Sequence, residues 1–384
     1  MRSEQNRKPE NFAAPSKLIL ANFIINENVA YEKVQVSQKN ENNIDPFDQV
    51  MIQKLLSDIG FPFNQPGDNF QELYIDIPRF RTGAILSLGP DEYNIDKLIG
   101  EGSYAKVYKG VDTKTKRDIA LKVQKPSWLW EYYICHQIQI RVSDPVKALA
   151  FMDVQKAYSL MNGSIIVSDV SQYGSLLSFI NAVKVIGESF PNTLLLHWMV
   201  ELLNIIQALQ KCQIIHGDIK PDNFVVRSLS FSHMEPTLQL IDMGRGIDMT
   251  LFPEGTTFKH VVNTKCFQCI EMQTGLPWTY QTDFYGIAGT MHCLYFGEYM
   301  KVKQKNNKWF INNVIPRYRA ARQIWEQFFY TLLNVESCHH LPDLTELRNM
   351  AKEKLMEDKT NKASVFLENM FYQKKKQESK AKCK

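Results

Sequence analysis

At 384 residues the chain is too long for one small core, and length alone points to two or three compact units. Its apolar fraction of 44% and aromatic fraction of 11% are ample for burial and exclude a globally disordered polymer. The formal net charge of +4 does not mark a nucleic-acid binder, and residues 351–384, with ten Lys against five acids, account for the whole excess.

Residues 1–15 are polar and read as frayed, and two short apolar bursts, 18–20 and 23–25, precede a polar linker from Gln38 to Asn43. From Asp45 the pattern changes: Phe47, Val50, Met51, Leu55 and Ile59 recur at helical spacing, with Gly60 and Pro62 as the stop. Tyr74–Ile77 and Ala84–Leu86 read as strands between Pro-marked turns. Residues 1–90 are too interrupted to form their own core and are expected to lie as an extension against the domain that follows.

Residues 91–171 read as a small β-rich lobe. Gly100-Glu101-Gly102-Ser103-Tyr104-Ala105-Lys106-Val107 stands between strand-like runs, Tyr93–Ile99 and Val107–Val111. The two glycines let backbone approach a ligand and turn N–H groups toward phosphate oxygens, and Ala105 replaces a third. Strand–turn–strand, instead of strand–turn–helix, speaks against a dinucleotide fold. The next strand, Ile119–Val123, carries Lys122 among apolar neighbours, at the place where the protein-kinase pattern puts the lysine for the α- and β-phosphates. Val107 and Ala120 would roof an adenine. Glu131, opening a helix that runs toward Arg141, is the expected carboxylate partner of Lys122, although nine positions is a shorter separation than most kinases show. Ser164–Val167 reads as a buried strand, and the polar exit from Ser168 to Gly174, with Asp169 and Ser171, as a hinge whose backbone meets adenine.

Residues 172–350 read as a larger helical lobe. A short helix begins at Leu176, and a long one is marked by Leu195, Trp198, Met199, Leu202, Ile205, Ile206 and Leu209. Polar residues at 197, 201, 204 and 207 interrupt the apolar stretch from Leu194 to Leu209, so it is a core helix and not a membrane span. Then comes His216-Gly217-Asp218-Ile219-Lys220-Pro221-Asp222-Asn223. Asp218 can accept a hydroxyl proton, Lys220 can neutralise a phosphate in transfer, and Asn223 is a neutral oxygen donor suited to Mg²⁺. This resembles the catalytic loop of protein kinases with Gly217 in place of Arg, and phosphotransferases of small alcohols share it. Val225, on the strand after it, would floor the adenine. Leu238–Ile241 is an apolar strand ending on Asp242-Met243-Gly244, and Asp242 reads as the main metal ligand beside Asn223.

Arg245 to Glu271 reads as an activation segment ending in a degenerate Ala-Pro-Glu, Cys269-Ile270-Glu271. Asp283-Phe284-Tyr285-Gly286 opens an apolar helix whose acid could hold the catalytic-loop backbone. These two features favour a protein kinase over a small-molecule kinase. Cys266-x-x-Cys269 has no second pair at a matching distance, and the seven scattered Cys read as reduced thiols in the cytosol or nucleus. An Arg at position 217 would normally receive an activation-loop phosphate. With Gly there, order of the segment is expected from the N-terminal extension instead. The basic tail reads as a solvated helix.

The chain resembles the Bub family of mitotic spindle-checkpoint serine/threonine kinases. The resemblance spans roughly residues 45–345 and rests on six strings: Lys122-Val123-Gln124-Lys125-Pro126 leading to Trp130-Glu131; the 216–223 loop; Ile247-Asp248-Met249-Thr250-Leu251-Phe252-Pro253; Phe267-Gln268-Cys269; Tyr299-Met300-Lys301-Val302; and Cys338-His339-His340-Leu341-Pro342. It implies an α+β, bilobal protein-kinase fold that takes ATP and Mg²⁺ and acts on Ser/Thr of proteins, including a core histone tail. It also implies checkpoint and kinetochore partners met mainly through regions outside this chain, and a nuclear and cytoplasmic protein at kinetochores in mitosis. No direct nucleic-acid or membrane partner is expected, and the fragment is expected to be monomeric. A pseudokinase scaffold is the alternative, but Lys122, Glu131, Asp218, Asn223 and Asp242 all survive.

Overall fold

Alternating apolar residues close seven strands into one sheet. These are β1 (Phe70–Leu73), β2 (Ile85–Leu88), β3 (Asp91–Glu101), β4 (Ala105–Asp112), β5 (Asp118–Gln124), β6 (Val154–Leu160) and β7 (Gly163–Asp169). The order is β1-β6-β7-β5-β4-β3-β2, antiparallel except for the parallel β1–β6 pair. The computed structural model describes residues 44–62, 69–102, 104–231, 235–262, 265–317, 321–357 and 362–382. The expectations for residues 1–43, Ser103 and Thr264 lie outside these.

Register decides which side chains reach the cleft. Ile119 and Leu121 of β5 join Tyr93, Ile95, Ile165 and Val167 in a small core on one face of the sheet. Ala120 and Lys122 therefore stand on the other face, with Val107, the cross-strand partner of Lys122. Helix α2 (Trp130–Arg141) follows β5 and is buried from Trp130 through Cys135, so it has no amphipathic stripe. It packs in one core with Ile52 and Leu55 of α1 (Gln49–Asp58) and with Phe61, whose ring centroid lies 5.0 Å from that of Tyr133. The extension thus covers the outside of α2. The buried Trp130 donates its indole N–H to the Gly246 carbonyl at 2.6 Å. Trp130→Phe leaves that carbonyl unpaired beside a small void, and should lower the unfolding free energy in urea by about 1–3 kcal/mol.

A short α3 (Pro145–Ala148), capped by Asp144, leads into β6. The larger lobe is built on α4 (Leu176–Ile186), α5 (Asn192–Lys211) and α7 (Gln281–Phe296), the last buried over nearly its whole length. Three short strand pairs carry its loops: β8 (Ile214–Ile215) with β11 (Ile247–Asp248), β9 (Phe224–Val226) with β10 (Leu238–Leu240), and β12 (Val302–Lys305) with β13 (Lys308–Ile311). Helices α6 (Ile270–Thr274), α8 (Arg322–Leu333), α9 (Thr345–Met356) and α10 (Lys362–Lys382) complete it.

Two expectations are corrected. Tyr74–Ile77 is not a strand: the strand is β1, four residues earlier, and the Ile77 N–H is taken by the Asn162 side chain at 2.8 Å. The basic tail is not solvated all round. Leu367 and Met370 are buried, and the ring centroid of Phe371 lies 4.9 Å from that of Tyr173. Lys374 donates to the Tyr173 carbonyl at 2.9 Å and to the Ser178 hydroxyl at 2.8 Å, so α10 is fixed to the start of the larger lobe.

Candidate active site

Three charged groups meet where the two lobes face each other. Lys122 Nζ lies 2.7 Å from Glu131 Oε2 and 2.6 Å from Asp242 Oδ1. The close spacing of Lys122 and Glu131 in the chain is met because α2 begins six residues after β5 ends, with Glu131 as its second residue. Glu131 is wholly buried and also accepts from Gln124 Nε2 at 3.1 Å. Its burial raises the carboxyl pKa against the pull of Lys122. Burial also works against the Lys122 charge, but the two carboxylates outweigh it and hold the ammonium protonated above its usual range. At Asp242 burial would raise the pKa, yet Lys122 prevails and keeps it below the carboxylate norm. Asp242 sits at φ +64°, a left-handed conformation uncommon for a non-glycine residue, and its side chain is still 42% exposed toward the cleft.

The catalytic loop is held from below. Asp283 accepts the His216 N–H at 2.7 Å and the Gly217 N–H at 2.9 Å, the anchoring that its position at the start of α7 suggested. His216 Nδ1 accepts from the Asp218 N–H, so its Nε2–H is the donor to the Ile241 carbonyl at 3.1 Å. That bond ties the loop to the residue before Asp242. Lys220 Nζ lies 2.6 Å from Asp218 Oδ2, and Asn223 Nδ2 donates to the Asp218 carbonyl at 2.8 Å. The amide orientation leaves Asn223 Oδ1 as the acceptor available to a cation. An accessible carboxylate and an oriented amide oxygen are the hard-oxygen set a divalent ion takes.

The positions expected to face a nucleotide are arranged as follows. Val107 and Ala120 are half-buried on the cleft face of the sheet, and Val225 is half-buried on β9. Tyr104 is exposed, and Ala105 begins β4. A Cβ built on Gly100 would meet only Val107 at 3.6 Å, and one on Gly102 only the Ala105 carbonyl at 3.8 Å. Neither clashes within the chain, so the fold itself does not require glycine at either place. A ligand pressed against this loop would. On the hinge, Asp169 accepts from Gln155, while the Ser171 hydroxyl donates to the Val226 carbonyl at 2.6 Å and accepts from the N–H groups of Tyr173 and Gly174. The Ser171 hydroxyl is thus used by the protein, while Asp169, exposed, has one carboxylate oxygen engaged by Gln155.

The protein kinase domain family matches residues 93–379. A crystal structure of the BubR1 kinase domain superposes with a TM-score of 0.81 at 35% identity, over 85% of this chain and 100% of that one. The chain belongs to the protein kinases, in their Bub family. Among this kinase domain's relatives are the mitotic checkpoint serine/threonine-protein kinases BUB1 of Mus musculus, 36% identical over 84% of the chain, and of Arabidopsis thaliana, 32% identical over 72%. The chain spans 31% of the length of the mouse protein and 55% of the plant one.

Several residues that organise the kinase site carry no sequence-level sign of doing so. Trp128 donates its indole N–H to the Gly244 carbonyl at 2.8 Å, beside the Trp130–Gly246 bond, so two indoles pin the start of α2 to the segment after Asp242. At the other end of α2, Arg141 grips the buried Asp248 through two bonds of 2.9 and 2.6 Å and the Cys212 carbonyl at 2.8 Å, while Tyr133 donates to Asp248 at 2.7 Å. Asp248 stood in one of the Bub-like strings without an assigned role. These bonds hold Glu131 in register with Lys122. Cys269 is fully buried, its thiol pKa pushed well up by that burial, while Cys266 is exposed. The two do not share an environment.

Proposed function

We propose that this domain transfers the γ-phosphate of ATP to Ser/Thr hydroxyls of proteins and serves the mitotic spindle checkpoint. The convergence of Lys122, Glu131 and Asp242 beside the Asp218–Lys220–Asn223 loop is the observation that carries this reading. Lys122, fixed by Glu131, holds the α- and β-phosphates, and Gly100, Gly102, Ser103, Tyr104 and Ala105 cover them. Val107, Ala120 and Val225 enclose the adenine, with backbone at Asp169 and Ser171 supplying its hydrogen bonds. Asp242 and Asn223 would hold the divalent ion, Mg²⁺ in the cell, which when bound neutralises phosphate charge. Asp218 accepts the proton of the substrate hydroxyl as that oxygen attacks the γ-phosphorus and the bond to ADP breaks. Lys220 meets the charge on the moving phosphoryl group. The names of the relatives, mitotic checkpoint kinases, support the checkpoint role, and checkpoint and kinetochore partners with a site of action at kinetochores are part of the same proposal.

The direct test is transfer of radiolabelled γ-phosphate from ATP to a histone mixture, with Asp218→Asn beside the wild type. Label on Ser/Thr from the wild type alone supports the proposal. Equal label from both points to a contaminating kinase, and no label from either favours a scaffold.

Regulation is proposed to rest on the extension. Gly217 has φ +75°, and a Cβ there would meet the Arg245 carbonyl at 2.7 Å and the Phe47 ring at 3.4 Å. The place of the usual arginine is therefore filled by Phe47, whose ring also meets Arg245 at 5.3 Å and His260 at 5.5 Å. Asp45 adds a 3.2 Å contact to His260. A combined Thr256→Ala, Thr257→Ala and Thr264→Ala variant is expected to keep most of its kcat. Phe47→Ala is expected to lose more activity than that triple variant when both are assayed on one substrate.

A further inference from the structure

The β12–β13 hairpin presents two unlike faces. Val302, Trp309 and Ile311 turn inward to the core, and the opposite face carries the cross-strand pairs Lys303–Phe310 and Lys305–Lys308. The turn Asn306-Asn307, with φ of +51° and +59°, fixes this register and forces Lys305 and Lys308 side by side. Like charges directly opposite weaken a hairpin. Among the described residues neither these two nor Lys303 makes an ion pair, and the one acid on the adjoining wall, Glu326, is taken by Arg322 at 2.7 Å.

Beside this face lies a groove of about 980 Å³ between the hairpin and α8, within the size range of ligand sites. Phe310, Val314, Ile315 and Tyr330 line it together with Lys303 and Lys305. Val314 is 78% exposed, and the Phe310 and Tyr330 rings lie 6.0 Å apart. The apolar lining and the unneutralised lysines ask for one ligand with both characters. We propose that the groove docks an acidic peptide segment of a partner protein, seating a large apolar side chain among Val314, Ile315, Phe310 and Tyr330 while its carboxylates meet Lys303, Lys305 and Lys308. A nucleic-acid strand fits less well. It needs open aromatic faces for stacking, and here the two rings turn toward each other, inclined at 47°, beside aliphatic side chains. The proposal is separate from the phosphotransfer reading, because no residue of the hairpin belongs to that site.

The test is fluorescence anisotropy of the whole chain with a labelled peptide of Glu and Asp around a central Leu-Phe pair. The proposal expects Lys303→Glu with Lys305→Glu to weaken binding by about tenfold or more. Replacing the central pair of the peptide by Ser-Ser should weaken it comparably, and so should Val314→Asp at its exposed position. Lys305→Glu alone turns a like-charge pair into an opposite-charge one, so its melting temperature should hold or rise while peptide binding falls, which a merely structural lysine would not do. Kinase activity on a generic substrate should be unchanged in all these variants. Binding that ignores the Leu-Phe pair, binding unaffected by the lysine changes, or tighter binding of a single-stranded oligonucleotide at the same face would each overturn the proposal.

Discussion

Asp218→Asn is expected to lower kcat by about 10²- to 10⁴-fold while leaving ATP affinity within a few-fold of wild type. The expectation follows from where Asp218 stands. Its backbone carbonyl is held by Asn223, and its Oδ2 lies 2.6 Å from Lys220. Oδ1 has no protein donor among the described residues. Asn preserves the shape but cannot take a proton, and its amide would turn a donor toward either Lys220 or the hydroxyl. The substitution touches neither Lys122 nor Asp242, so nucleotide binding should survive. Single-turnover transfer and ATP titration, measured separately, distinguish this from a folding defect. A proportional loss of both would mean that Asp218 is structural.

The second large effect is expected at Lys122. Lys122→Met removes the cation that lies between two carboxylates, Glu131 and Asp242. Glu131 is wholly buried, so without its partner it takes up a proton or moves, and Asp242 loses the group that keeps its pKa low. Both the proposed phosphate contact and the placement of Asp242 should then fail together. The expected result is a fall in kcat/KM of about 10²- to 10³-fold, expressed as a raised KM for ATP and a lowered kcat. Glu131→Gln, which keeps the shape and one hydrogen bond, should cost less. Full activity in Lys122→Met would remove the lysine from the site.

The catalytic loop was legible because its chemistry is local: acid, cation and amide lie within six residues, and no distant contact is needed to give them roles. Asp242 was legible because an apolar strand ends on it. The pairing of Lys122 with Glu131 was expected against a spacing shorter than most kinases show, and the geometry meets that spacing because α2 begins six residues after β5 ends, with Glu131 as its second residue. What stayed hidden depends on contacts across long stretches of chain. The indoles of Trp128 and Trp130 reach carbonyls 116 residues away, and Arg141 reaches Asp248 across 107. Periodicity cannot show such pairs. For α10 the net charge of the tail drew attention from Phe366, Leu367, Met370 and Phe371, whose helical spacing places them toward α4 and α5. At the hinge, the Ser171 hydroxyl serves the protein's own structure, a use that its place in the sequence did not show.

The most direct measurement is a crystal structure of the chain with a non-hydrolysable ATP analogue and Mn²⁺, read at the manganese absorption edge. The account predicts an anomalous peak about 2.1–2.3 Å from the Asp242 carboxylate and the Asn223 amide oxygen, with Lys122 on the α- and β-phosphates. A nucleotide held elsewhere, or a metal peak away from both side chains, would contradict it.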